Sequence, residues 1–147
     1  MVAYSFRPRF IDPILAGLEP GPLLPGMKRQ TIRGASGGKR HARPGELVQL
    51  YTGMRTRQCR KLGEGRCVAA EPVTLLLEKP GLVIIGDAMT PADDHEAARQ
   101  LDAFAIYDGF RDWPDLVAFW AAEHPGLTRF EGVLIRWEPL AGAEVRP

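Results

Sequence analysis

Thirteen prolines and 16 glycines punctuate the 147 residues of this chain, spread along it instead of collecting in one low-complexity tract. Proline lacks the amide hydrogen that helices and ladders use, and glycine loses the most conformational freedom when ordered, so each marks a place where a regular element ends or turns. A chain cut this often is expected to fold as many short elements joined by turns. Its 45% hydrophobic content still supplies a core, and 147 residues is the size of one domain. We expect a single domain over 1–147, with its core over about 4–137 and a frayed tail over 139–147.

The spacing of apolar residues predicts the elements. Val2 to Phe6 reads as a short edge strand interrupted by Pro8. Phe10, Ile11, Ile14 and Leu15 recur at helical spacing, with Asp12 as the expected N-cap, Pro13 at the first helical position and Gly17 as the stop. Leu18 to Met27, with Pro20, Pro22 and Pro25, reads as an ordered loop, expected to form a rim over whatever Lys28 faces. Strands are predicted at Gln30 to Arg33, Glu46 to Thr52, Cys67 to Leu77, Leu82 to Ile85 and Phe130 to Trp137. A helix capped by Thr90 or Asp93 should run to about Ile106, and a second should start at the Asp112 cap and bury Leu116, Val117, Phe119 and Trp120. Strands outnumber helices and the two strongest helices fall between strand groups, so the class is α+β, built on a small, mostly antiparallel barrel or strongly bent sheet with two to three flanking helices. No glycine-rich phosphate loop is present, so nucleotide-driven chemistry is not expected.

Net charge is only +1, so a polyanion partner would need a local patch. No stretch approaches the roughly 20 apolar residues of a membrane span, and the N-terminus lacks the apolar run of a signal peptide, so the expectation is a cytoplasmic chain with no membrane partner. Cys59 and Cys67 are expected to be free thiols, with a redox pair across a hairpin as the alternative. His41, His95 and His124 have no metal-ligand spacing, so neither metal nor cofactor is expected. The tryptophans and most phenylalanines read as core packing.

Three short motifs then fall in a telling order: a helix ending in "ILAG", the pattern K-x-x-T-I-R from Lys28 to Arg33, and a "PGE" turn into "LVQLYTG". The later segment "AIYDGFRDWPDLVAFWAAEHPG" followed by "FEGVLIRW" completes the series. Together they resemble the ASCH family, which shares the PUA-like β-barrel, over about Phe6 to Trp137. Two departures stand out. Ten residues, Leu18 to Met27, separate the helix stop from the lysine, and Asp108 stands where many relatives carry glutamate. For relatives with this arrangement the resemblance implies amide hydrolysis of acylated cytidine-type nucleosides. Carried over, that makes Lys28 the base, Thr31 the nucleophile and Asp108 the acidic partner.

The residues themselves allow this chemistry. On an extended strand Thr31 and Arg33 share a face, because side chains repeat with period two. A threonine hydroxyl needs a base, and a lysine serves when burial or nearby cations lower its pKa. Arg33 would hold an anionic or carbonyl oxygen, with Arg29 and Tyr51 as further substrate contacts. The second reading is an RNA-binding module, including a ribonuclease, using two basic loops: Lys39, Arg40, His41 and Arg43, then Arg55, Arg57, Arg60 and Lys61, with Tyr51 stacking on a base. The third is an accessory domain that binds a small ligand without chemistry. The partner is thus a modified nucleoside or RNA, and the oligomeric state is left open.

Overall fold

In a computed structural model that describes residues 1–35, 40–89 and 94–140, the chain forms an α+β fold: a seven-stranded, mostly antiparallel sheet with three α-helices. β1 (Val2–Phe6) leads through a 3-10 turn at Pro8–Phe10 into α1 (Ile11–Gly17). β2 (Gln30–Gly34), β3 (Leu47–Thr52), β4 (Arg60–Leu76), β5 (Leu82–Ile85) and β6 (Ala88–Met89) follow. Then come α2 (Asp94–Tyr107), α3 (Trp113–Glu123) and β7 (Arg129–Pro139).

β4 organises the sheet. At 17 residues it would span on the order of 55 Å if straight. One edge pairs with β7 from Gly65 to Leu76; the other pairs first with β3 and then, from Val73, with β5. It bends where the register shifts between Cys67 and Ala69, leaving Val68 unpaired and exposed. β1 adds to β3 in parallel, β2 adds to β7 antiparallel and β6 adds to β5, so β1, β2 and β6 are free edges of an open sheet.

The expectation of uniformly short elements is therefore corrected at β4, which starts at Arg60 and not Cys67 and accommodates Gly63, Gly65 and Pro72. Gly65 lies under Trp137, where a Cβ would stand 2.7 Å from the indole. The Pro72 carbonyl accepts the Gly86 amide at 2.8 Å, so its missing amide hydrogen faces the β5 edge just beyond that ladder's last pair.

Helix starts also differ. Asp12 is not a cap: Pro8 begins a 3-10 turn that runs into α1, placing Asp12 and Pro13 inside the first helical turn. Thr90 and Asp93 lie outside the described residues. Asp112 does cap α3, accepting the Asp115 amide at 2.9 Å. Pro139 closes β7 and does not fray.

The core joins Val48, Leu50, Leu75, Leu134, Ile135 and Trp137 of the sheet to Ile14 of α1, Leu101 and Ala105 of α2 and Leu116 of α3. Cys67 is buried in it and Cys59 is exposed, and both are free thiols. Among the described residues no helix is long and apolar enough to cross a membrane.

Candidate active site

Lys28 is positioned from the backbone outward. Its amide donates to the Pro13 carbonyl at 2.9 Å, and its own carbonyl lies so close to Gly17 that a Cβ there would stand 2.6 Å from the oxygen. The "ILAG" glycine is thus required by close approach. Arg29 fixes the other side. Its Nε donates to the Gly17 carbonyl at 2.7 Å and its terminal nitrogens to Glu19 and Gly21 at 2.9 and 3.0 Å. A guanidinium at these last carbonyls satisfies acceptors that a helix end leaves free.

Asp108 is positioned by the end of α2. The Gly109 amide donates to Ile106 at 3.1 Å and the Phe110 amide to Ala105 at 2.9 Å, with Gly109 at φ 98°. These two bonds make a Schellman motif, with Asp108 as the C-cap. The Lys28 ammonium donates to the Asp108 backbone carbonyl and, at 3.4 Å, to its Oδ1. Gln30 Nε2 donates to the same Oδ1 at 3.1 Å. A cation here faces both a carboxylate and the negative end of the helix dipole. Its stem runs against Gly109, and Nζ lies 4.7 Å from the centre of the Phe10 ring.

Burial dominates the protonation of this pair. Lys28 and Asp108 are both almost fully buried. Desolvation pushes the Lys28 amine below its ordinary pKa, against the pull of the Asp108 charge. Desolvation pushes the Asp108 carboxyl above its ordinary value, against Lys28 and Gln30. Each shift favours the neutral form.

Thr31 and Arg33 share a face of β2, as period two requires: Arg33 Nε donates to Thr31 Oγ1 at 3.0 Å. A terminal Arg33 nitrogen donates to the Ser5 carbonyl at 2.7 Å, and the guanidinium lies over Phe6 and Tyr4 at 4.8 and 5.2 Å. Ser5 belongs to β1, so this side chain joins two free edges of the sheet, β1 and β2. Burial lowers its pKa, yet a guanidinium stays charged in proteins.

Lys28, Thr31, Arg33 and Asp108 line one cavity of about 820 Å³. Phe10, Phe110, Phe119, Trp120 and Phe130 line it too, with His124. Phe10, Phe110 and Phe119 meet edge to face or tilted at 5.4 Å, and Trp120 lies 4.6 Å from Phe130. Arg9, 4.9 Å from the Phe110 ring centre, ties this cluster to α3 through Asp115 at 2.6 Å. Residues read as core thus also furnish apolar lining.

Several expected contacts fall elsewhere. Arg29 does not line the cavity, because loop carbonyls take its donors; nor do residues of Leu18 to Met27, so that loop is no rim. Tyr51 sits on the face of β3 opposite Thr52, and Thr52 is the one that lines the cavity. Arg40 is held by Glu46 at 2.6 and 2.8 Å, and Lys61 by Glu64 at 2.5 Å. Arg43, Arg55 and Arg57 are exposed and outside the cavity lining, while Arg60, also exposed, belongs to it. Lys39 lies outside the described residues. Gln30 was missed by sequence reasoning, although its i, i+2 relation to Lys28 is the signal that would have found it.

Among the described residues no three His, Cys, Asp or Glu side chains gather to hold a metal ion. Fold and site together define an α+β domain with a cavity lined by a lysine–aspartate pair and by several aromatic side chains. Comparison with protein-family models, with curated proteins and with solved structures found no match for this chain.

Proposed function

We propose that this is an ASCH-type domain with a PUA-like, barrel-forming sheet, and that its cleft hydrolyses the amide of N-acylated cytidine-type nucleosides. The observation that carries the reading is the meeting of Lys28, Asp108, Thr31 and Arg33 on one cavity that five aromatic side chains, Phe10, Phe110, Phe119, Trp120 and Phe130, also line. The barrel part draws support from Arg33 linking β2 to β1, the edges that a barrel would bring together.

In this reading Thr31 Oγ attacks the acyl carbon and its proton passes to the neutral Lys28 amine. The bond from Arg33 Nε supports charge on that oxygen and leaves the hydroxyl hydrogen free for the base. The guanidinium steadies the negative charge on the former carbonyl oxygen. The C–N bond then breaks, Lys28 returns the proton to the exocyclic nitrogen, and an acyl ester remains on Thr31. Water attacks that ester, its proton travels by way of Lys28 back to Thr31 Oγ, and the carboxylic acid departs. Asp108 holds the lysine in place and helps set its protonation. An aromatic wall suits a planar base or an apolar acyl group.

Incubation with a panel of N4-acylcytidines tests this, with release of the acid as the readout. Thr31→Ala and Lys28→Ala should lose turnover. No acid from the wild type, or equal rates in the variants, sinks the proposal. Saturable nucleoside binding without product would favour the non-catalytic accessory domain.

RNA binding has one specific observation in its favour: Arg55, Arg57 and Arg60 are exposed and make no ion pair among the described residues. Titration with structured and single-stranded RNA should then show salt-dependent affinity, weakened by the joint Arg55→Ala and Arg57→Ala change. Absence of binding at low salt removes this reading.

A further inference from the structure

The cavity carries more positive charge than its own carboxylates balance. Four cationic side chains line it, Arg7, Lys28, Arg33 and Arg60, against Asp108 and Glu123. Arg7 is bound to Glu123 at 2.7 Å and Lys28 to Asp108 at 3.4 Å. Arg33 and Arg60 therefore have no carboxylate partner among the described residues. Arg33 has polar partners in Thr31 and Ser5. Arg60 has no hydrogen bond to its side chain among the described residues.

Arg60 is nevertheless on a built edge of the cavity. It opens β4 directly across the ladder from Thr52, which is buried in the cavity wall. The turn leading to it, from Gly53 to Cys59, holds its own shape. Thr56 donates to the Gly53 carbonyl from its amide at 3.1 Å and its hydroxyl at 2.6 Å, and the Gln58 amide donates to Thr56 Oγ1 at 3.2 Å. Gly53, Met54, Thr56 and Gln58 line the cavity from this turn. Arg55 sits there at φ 66°, a left-handed conformation that a residue with a side chain adopts at a cost. Arg55 and Arg57 thus stand on one self-bonded turn, and Arg60 directly follows it, at the edge of a net-positive cleft.

We infer that this turn is a phosphate-binding edge, with Arg60 as its principal donor, and that the ligand of the cleft is a nucleotide and not a bare nucleoside. A guanidinium presents paired donors that match phosphate oxygens, and an anion here neutralises the charge the cavity leaves unbalanced. The phosphate can belong to a free nucleotide or to a residue of an RNA chain. The inference rests on the proposed reading of the cleft as a nucleoside site.

Calorimetric titration of the full chain with cytidine, its 3′- and 5′-monophosphates and a short oligocytidylate tests it. The better monophosphate is expected to bind wild type about tenfold or more tightly than cytidine, the scale of one charge-assisted contact. Arg60→Gln should collapse that ratio towards one; because Arg60 is exposed, the variant is expected to fold, and circular dichroism checks this. Tighter binding of the oligomer assigns the phosphate to RNA; equal or weaker binding assigns it to a free nucleotide. Equal affinity of wild type for cytidine and both monophosphates, or a ratio preserved in Arg60→Gln, overturns the inference while the nucleoside reading stands. If neither cytidine nor its phosphates bind, the nucleoside reading falls and takes the phosphate edge with it.

Discussion

Asp108→Asn isolates what the buried carboxylate does for Lys28. Asparagine is close in shape, keeps an oxygen for Gln30 to donate to, and leaves the backbone carbonyl that also receives Lys28. Only the charge is removed. The lysine is then buried beside no carboxylate, and it either stays charged, a situation that costs about 3–5 kcal/mol when one member of a buried pair is deleted, or becomes neutral. Neutrality has a ceiling set by linkage. With an ordinary lysine value of 10.5 in the unfolded chain, holding the amine fully neutral at pH 7.5 costs about 1.4 kcal/mol for each of three pH units, or about 4 kcal/mol. Burial already lowers the Lys28 pKa in the wild type, so part of this cost is present there, and the expected loss is about 2–4 kcal/mol. That corresponds to a fall in Tm of about 5–15 °C for a chain of this size. The sign with pH is the sharper test. A lysine whose folded pKa is lowered binds fewer protons folded than unfolded, so stability rises with pH up to the unfolded value. The variant should show the steeper rise, and its deficit should shrink by up to about 1.4 kcal/mol per pH unit. Urea unfolding of both proteins at pH 7 and pH 9 reads this directly. A deficit that is the same at both pH values, or one under about 0.5 kcal/mol, would refute the electrostatic account of this pair.

Gly109→Ala would set a Cβ 2.8 Å from the Phe10 ring and 2.9 Å from the Lys28 stem, at a φ that disfavours any side chain. We expect a loss of about 1–3 kcal/mol in urea unfolding and, for the proposed acyl-nucleoside hydrolysis, a fall in kcat greater than any rise in KM. Arg29→Ala removes a bond to the last carbonyl of α1 and two to loop carbonyls, and limited proteolysis should cut within Leu18 to Met27 at least tenfold faster, about 1.4 kcal/mol of local stability. If Lys28 is the base, hydrolysis should rise with pH as its amine loses a proton, in a range below that of an ordinary lysine. A pH–rate profile flat from pH 6 to pH 10 would contradict that role.

Where side-chain periodicity and turn chemistry act locally, the sequence was readable. β1, β3 and β5 fall where alternation and the Pro80–Gly81 turn predict, and the Asp112 cap of α3 makes its expected bond. Thr31 and Arg33 share a face for the same local reason. What was hidden depends on contacts distant in sequence. Asp12 looks like a cap until the 3-10 turn from Pro8 is known to run into the helix. Arg60 and Lys61 look like loop charges because nothing in their own spacing reveals that β3 pairs with them. Arg29 looks like a ligand contact because the carbonyls that claim it belong to the loop before it.

The site was legible for a further reason, which is energetic. Lys28, Arg29, Gln30 and Thr31 are four consecutive polar residues, all of them less than a tenth exposed, at the start of an edge strand. A core selected for stability alone would place apolar side chains in such a run, since well-packed hydrophobic residues often equal or exceed a buried ion pair. Arg29 and Gln30 are accounted for by bonds to the α1 loop and to Asp108. Lys28 and Thr31 are different, because they also open on the cavity, where a ligand can reach them. The burial that makes Lys28 expensive to hold as an ammonium is the same burial that makes its amine available as a base. Stability lost at this pair and basicity gained there have one cause, so a change that relieves the first is expected to diminish the second.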